Sequence, residues 1–270
     1  MDSRPPTGPP VEPDPTPPWP AVDDVPPTVT VYLSAPTGWY ATLKPTFELL
    51  AAAVCSVLLF PFMLIAWAAI KLTSRGPGLY VQTRAGRGDR PFRIFKIRSM
   101  RSDKATADNL NWATKGDARV TRVGKVLRAL HLDELPQLFN VLRGEMSLVG
   151  PRPERPEVIA TKGLPDEVPG YALRTLVRPG VTGLAQIQLP ADTDVTSVRH
   201  KVYYDLYYLT HQSVWLDLRI CLGTVLKCFL SADTLRKVLF LPTRERVCDH
   251  FLSLLAVPEG AVEHAAEPVV

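Results

Sequence analysis

The chain has 270 residues, 46% of them hydrophobic, and a formal charge of +4. That is enough apolar material for one sizeable domain or two small ones, and too little net charge to indicate a nucleic-acid binder by itself. Four cysteines (Cys55, Cys221, Cys228, Cys248) show no CxxC spacing, which argues against a zinc site or a disulfide framework and fits a reducing compartment.

Eleven prolines fall within residues 1–27, so residues 1–43 are expected to form a disordered Pro-rich tail. A membrane segment over 44–75 follows. From Leu49 to Ile70 there is no charge, and Ser56 is the only polar side chain. Twenty-two such residues suffice to cross a hydrocarbon core of about 30 Å. The segment starts too late for a signal peptide. Pro61 sits at its middle, where proline removes a helix hydrogen bond and clashes with the preceding turn. A spanning helix with a tolerated proline and a re-entrant helix bent at Pro61 are both open on this pattern. Lys44, Lys71 and Arg75 place positive charge on both flanks, which suits the re-entrant form.

Next, GLYVQTRAG and FRIFKIRSM read as two short strands joined by a Gly-rich turn. The hairpin is strongly basic and could face anionic headgroups or a diphosphate, though a solvated face is the commoner use of such arginines. Lys96 differs because it lies in an apolar run, where an ammonium needs a partner. One helix should end near Leu130 and a second begin at Asp133. Leu135, Leu138, Phe139 and Leu142 would line its buried face, and Gly144 would cap it. Pro136 is acceptable only in a first turn, which fixes that start. Asp133 and Glu134 could simply cap the helix. Two adjacent acids at an anion-favouring helix end instead suggest a cation between them and a phosphate, magnesium being the natural choice.

In MSLVGPRPERPE, Pro151 and Pro153 restrict Arg152 to extended backbone, so its side chain is aimed. The loop around Arg178, Gly180 and Gly183 suits a tight turn or close approach to a ligand or another backbone. Downstream, a Tyr-rich helical stretch places Asp205 among Tyr203, Tyr204, Tyr207 and Tyr208, a pattern fitting a core helix or a membrane–water boundary. Residues 231–270 add a short helix and a tail.

The quoted motifs, with RPGVTGLAQI and YYDLYYL, resemble the bacterial sugar transferases, the monotopic polyprenyl-phosphate phosphoglycosyl transferases, from about Lys44 to Leu230. The resemblance implies an α+β, mostly helical protein: a re-entrant membrane helix hairpin, and a small cytosolic catalytic domain over 76–230 with a β-hairpin and interfacial amphipathic helices. It implies transfer of a sugar 1-phosphate from a nucleotide diphosphate sugar, by family habit a UDP-sugar, to polyprenyl phosphate, priming a glycan such as an exopolysaccharide. Asp133 would be the nucleophile, with Glu134 beside it and both holding Mg2+. Lys96, Arg128 and Arg152 would bind phosphate, Arg178 and Asp205 would be further site candidates, and Pro61 would be the membrane bend. Membrane lipids would be partners, nucleic acid would not, and a homodimer is left open. The expected location is the inner membrane of a bacterium, catalytic domain facing the cytoplasm. In one departure, Phe60 stands where the family usually has a serine before the proline. The chain looks like the short form of the family. The alternative is a non-catalytic membrane adaptor of a glycan assembly complex.

Overall fold

A computed structural model describes residues 25–26, 30–33, 35–101 and 119–255. Most of the expected N-terminal tail, residues 1–24, and the C-terminal residues 256–270 lie outside this range. The fold is mostly helical, with two small sheets.

Helix α1 runs from Trp39 to Thr73, 35 residues, with Pro45 and Pro61 inside it. It is long and apolar enough to cross a membrane, by length and composition. It begins five residues before the expected start at Lys44. Its buried residues Lys44, Glu48, Ala52, Ser56, Met63, Ala66 and Ile70 recur every three to seven residues. α1 is continuous through Pro61, where a hairpin of two helical segments is expected. The opposite face is exposed and apolar, including Val57, Leu58, Phe60, Phe62 and Ile65.

The polar residues in the buried stripe fasten α1 to the rest of the protein. Lys44 Nζ meets Glu48 Oε1 at 2.9 Å, donates to the Tyr208 hydroxyl at 2.9 Å, and pairs with Asp217. Glu48 accepts from the Ser147 hydroxyl and from the Val149 amide at 3.1 Å. Taking one member from such a buried set strands the others. Lys44→Met, which leaves Glu48 and Asp217 uncompensated, should lower unfolding free energy by about 3–5 kcal/mol, measured by equilibrium denaturation in detergent.

Strands β1 (Leu79–Ala85) and β2 (Pro91–Ile97) form the expected antiparallel hairpin, with Tyr80 opposite Lys96 and Gln82 opposite Ile94. Gly88 takes φ 60° in its turn. Strand alternation puts Phe92, Ile94 and Lys96 on one face, so two apolar residues anchor the strand and the lysine emerges at its end. Helix α2 (Arg122–Ala129) follows, capped by the Thr121 side chain on the Gly124 amide.

The helix expected from Asp133 to Arg143 is divided. A 3-10 segment, Leu132–Gln137, precedes a short α3, Leu138–Leu142. Pro136 lacks the amide that an α-helix would use, so the first turns tighten instead. The buried face also shifts. Pro136, Gln137, Leu138, Asn140 and Val141 are buried, whereas Phe139 is 41% exposed. Gly144 ends the unit at φ 73°, as expected.

A second sheet has no counterpart in the sequence reading: β3 (Ser147–Val149) lies parallel to β4 (Gly180–Thr182). Its strands are too short for alternation to show. The glycines of the RPGVTG loop make the approach possible, since a Cβ on Gly180 would stand 2.2 Å from the Gly150 nitrogen. Of the alternatives for that loop, close approach to another backbone is the one observed. Between the strands lie α4 (Pro156–Thr161), α5 (Leu164–Glu167) and a 3-10 turn, Tyr171–Leu176.

Helices α6 (Leu184–Gln188), α7 (Val195–His211), α8 (Val214–Leu226), α9 (Ala232–Val238) and α10 (Arg244–Leu255) complete the body. The tyrosines of α7 are core residues: Tyr203, Tyr204 and Tyr208 are almost fully buried, and Tyr203 packs on Phe251 at a 4.0 Å centroid distance. The C-terminal region thus holds two helices where one short helix is expected. Val247 and Phe251 bury one face of α10 in the main core, joined from the N-terminal side by Val25 and Val31.

Candidate active site

The dyad turn opens where His131, at φ 54°, breaks the chain away from α2. It delivers Asp133 and Glu134 to the floor of a cleft of about 1670 Å³. Lys96, Arg128 and Arg152 line the same cleft.

The two carboxylates are treated differently. Glu134 Oε1 receives Lys96 Nζ at 2.7 Å and an Arg152 nitrogen at 2.8 Å, and a second Arg152 nitrogen stands 3.4 Å from Oε2. Burial opposes ionisation of Glu134, but Arg152 and Lys96 hold its carboxyl well below the usual range. Glu134 in turn keeps Arg152 firmly protonated. Asp133 is buried and has a much looser contact, Ser99 Oγ at 3.4 Å from Oδ2. Burial, and then the charge of Glu134, raise its carboxyl above the ordinary value, with Lys96 and Arg128 opposing. Burial and the neighbouring Arg152 bring the Lys96 ammonium down to about 8. The outcome is one acid neutralised by two cations beside one acid left open to the cleft.

The backbone around Arg152 is clamped from three sides. The Gly180 amide donates to the Pro151 carbonyl at 2.8 Å, Arg84 donates to the Pro153 carbonyl at 3.0 Å, and Arg174 donates to the Arg152 carbonyl at 3.1 Å. Arg174 is itself held by Asp205 at 2.7 Å, with both side chains buried. Asp205 is not part of the cleft lining and acts on Arg152 through Arg174. Asn140 has a matching role for Lys96: its side chain accepts from the Phe95 amide at 3.1 Å and donates to the Arg93 carbonyl at 2.7 Å.

Five of the expected residues thus converge: Lys96, Arg128, Asp133, Glu134 and Arg152. Arg178 does not join them. It precedes β4 outside the cleft lining, with its guanidinium beside Gly144. Pro61 lies within α1, which borders the cleft through Cys55, Leu59 and Phe62. The sequence places Arg84 only within the basic hairpin and gives no role to Asn140 or Arg174. A usable signal existed for Arg174, an arginine among apolar residues in YALRTL, which implies a buried partner just as it does for Lys96.

The chain's sequence is similar to those of known proteins. The family model described as bacterial sugar transferase matches residues 39–231. A UDP-N-acetylgalactosamine-undecaprenyl-phosphate N-acetylgalactosaminephosphotransferase of Aeromonas hydrophila is 44% identical over 190 residues, 70% of this chain and 44% of that protein. A UDP-glucose:undecaprenyl-phosphate glucose-1-phosphate transferase of Caulobacter vibrioides is 46% identical over 67% of this chain and 68% of its own. The exopolysaccharide production protein PSS of Rhizobium leguminosarum bv. phaseoli is 42% identical over 68% of this chain and 93% of its own. The match spans less than half of the Aeromonas protein.

Proposed function

Because the chain belongs to the bacterial sugar transferase family, we propose that it moves a sugar 1-phosphate from a UDP-sugar to a membrane polyprenyl phosphate, through a covalent intermediate on Asp133. The observation that carries this reading is the asymmetry of the dyad. Glu134 is paired directly with Lys96 and Arg152, while Asp133 lines the cleft with a looser contact to Ser99 at 3.4 Å.

In the first step an Asp133 carboxylate oxygen attacks the phosphorus that bears the sugar. A P–O bond forms to Asp133, the bridging P–O bond breaks, and UMP leaves with the bonding pair. In the second step a phosphate oxygen of the polyprenyl phosphate attacks the same phosphorus, the acyl phosphate bond breaks, and the Asp133 carboxylate is restored. Splitting one transfer into two at a reactive acyl phosphate is a sound use of a carboxylate. Lys96, Arg128 and Arg152 offset the negative charge of the phosphates.

Among the described residues no group of three His, Cys, Asp or Glu gathers to hold a metal alone. Magnesium commonly takes only one or two carboxylates together with substrate phosphates, so the donor set is compatible with it. Asp133 is the residue that fits best as ligand, because Glu134 Oε1 already receives Lys96 at 2.7 Å and Arg152 at 2.8 Å, which leaves only Oε2 of Glu134 as a second donor. When bound there, Mg2+ would neutralise diphosphate charge.

The stripe along α1 supports the re-entrant reading. A helix leaving the body to cross a bilayer would lose its protein contacts partway, whereas here Glu48 near one end and Ile70 near the other are both buried. The exposed apolar face of α1, with Trp215, Leu218 and Leu222 on α8 and Phe229 just past it, would then lie in one leaflet and its interface. Both flanks would stay on the cytoplasmic side, where the nucleotide sugar is. The exopolysaccharide role named for the Rhizobium relative fits the same product.

The test is reconstitution in vesicles with undecaprenyl phosphate and a panel of UDP-sugars. The expected result is UMP release matched one for one by lipid-linked sugar; UMP release without a lipid product would contradict the reading. The pH profile carries a further expectation. Asp133 must be ionised, so kcat/KM should rise with pH through its elevated pKa. Lys96 must be protonated, so kcat/KM should fall near pH 8. Lys96→Arg should move that alkaline limb upward.

A further inference from the structure

The cleft contains a second polar cluster that the two displacements do not use. Asp192, in the loop between α6 and α7, pairs with Lys201 in the second turn of α7 at 2.7 Å, their side chains 9% and 11% exposed. Both line the cleft, as does Lys227, just past α8, which donates to the Gln186 carbonyl. The Gln186 side-chain Oε1 is buried without a hydrogen-bond partner and lines the same wall. A buried ion pair adds little stability over an apolar pair of similar size. Its place on a cleft wall points to a ligand.

The chemistry says which part of the substrate needs a separate wall. The group that leaves in the first displacement and the group that enters in the second share the position opposite Asp133. UMP and polyprenyl phosphate therefore use one region in turn, and Cys55, Leu59 and Phe62 of α1 give that region a lipid-facing border. The sugar stays on phosphorus throughout. It must be held by residues that neither of the others occupies, and the wall built from α6, α7 and the end of α8 remains for it.

We infer that Asp192, Lys201 and Lys227 form the subsite that reads the hydroxyls of the donor sugar, a neutral hexopyranose. Asp192 accepts from one hydroxyl while Lys201 donates to its neighbour, so a sugar epimeric at either carbon is disfavoured. The inference rests on the transfer reaction proposed above, and its test separates the two. Wild type, the double variant Asp192→Asn/Lys201→Gln, and Lys227→Gln are assayed with undecaprenyl phosphate and, in turn, UDP-glucose, UDP-galactose and UDP-N-acetylgalactosamine. Each protein is read as a ratio of kcat/KM values between donors, which does not depend on its folded fraction. Wild type should prefer one donor. The double variant should change that ratio by about 10- to 100-fold, the expected effect of hydrogen bonds to charged groups, with inhibition by UMP unchanged. An unchanged ratio in both variants, or a wild type using all three donors equally, overturns the sugar subsite while leaving the transfer reaction intact. A wild type that turns over no donor of the wider UDP-sugar panel removes both.

Discussion

Asp133→Asn should lower turnover at least about a thousandfold while leaving the protein folded. The amide has nearly the same shape and can keep the contact with Ser99, so the 3-10 turn has no reason to move. What it lacks is the charge and nucleophilicity needed to displace UMP. Glu134 cannot take over. Its oxygens are committed to Lys96 and Arg152, and a carboxylate held so far below the usual pKa is a poor nucleophile. Rapid-quench measurement of UMP in a single turnover checks this; a normal first-turnover burst in the variant would show that another group attacks.

Arg152→Lys should lower kcat by about 100-fold, although the charge is kept. Arg152 presents two nitrogens to Glu134, and Pro151 and Pro153 fix the direction from which they arrive. A lysine offers a single point of charge and cannot span both carboxylate oxygens while also facing a phosphate. Glu134 would then be only partly neutralised, and its freed charge would raise Asp133 further. The loss should therefore fall mainly on kcat, with the acid limb of the pH profile moved upward. A variant of wild-type kcat, with only KM altered, would mean that Arg152 binds donor without shaping the dyad. Arg174 and Asp205 act on the same backbone from behind, so Asp205→Asn should give a smaller defect of the same kind.

The features legible in the sequence were those carried by neighbours along the chain. Lys96 in an apolar run, Arg152 between prolines, and Asp133 next to Glu134 each carry a local constraint, and the structure gathers all three. The β-hairpin was readable because seven-residue strands leave a pattern on either side of a Gly-containing turn. The parallel pair β3 and β4 was not, because three residues cannot alternate long enough to be seen and the strands are about thirty residues apart in the chain. The dyad turn reads as an α-helix because apolar spacing alone does not separate α from 3-10 geometry near a proline. Arg178 was attractive for its Gly and Pro neighbours, yet those residues serve the contact of β4 with Gly150. Asp205 stands out by its polarity among tyrosines, but its partner Arg174 lies 31 positions earlier, and no local pattern joins them.

The central claim is that Asp133 briefly carries the sugar phosphate. The most direct measurement is the intact mass of the protein after incubation with its UDP-sugar donor, without polyprenyl phosphate, and rapid quenching, followed by peptide mapping. The account predicts a mass increase equal to one sugar phosphate, located at Asp133, and lost when polyprenyl phosphate is added before the quench. Lipid-linked product formed at full rate with no adduct, or an adduct on a different residue, would contradict it.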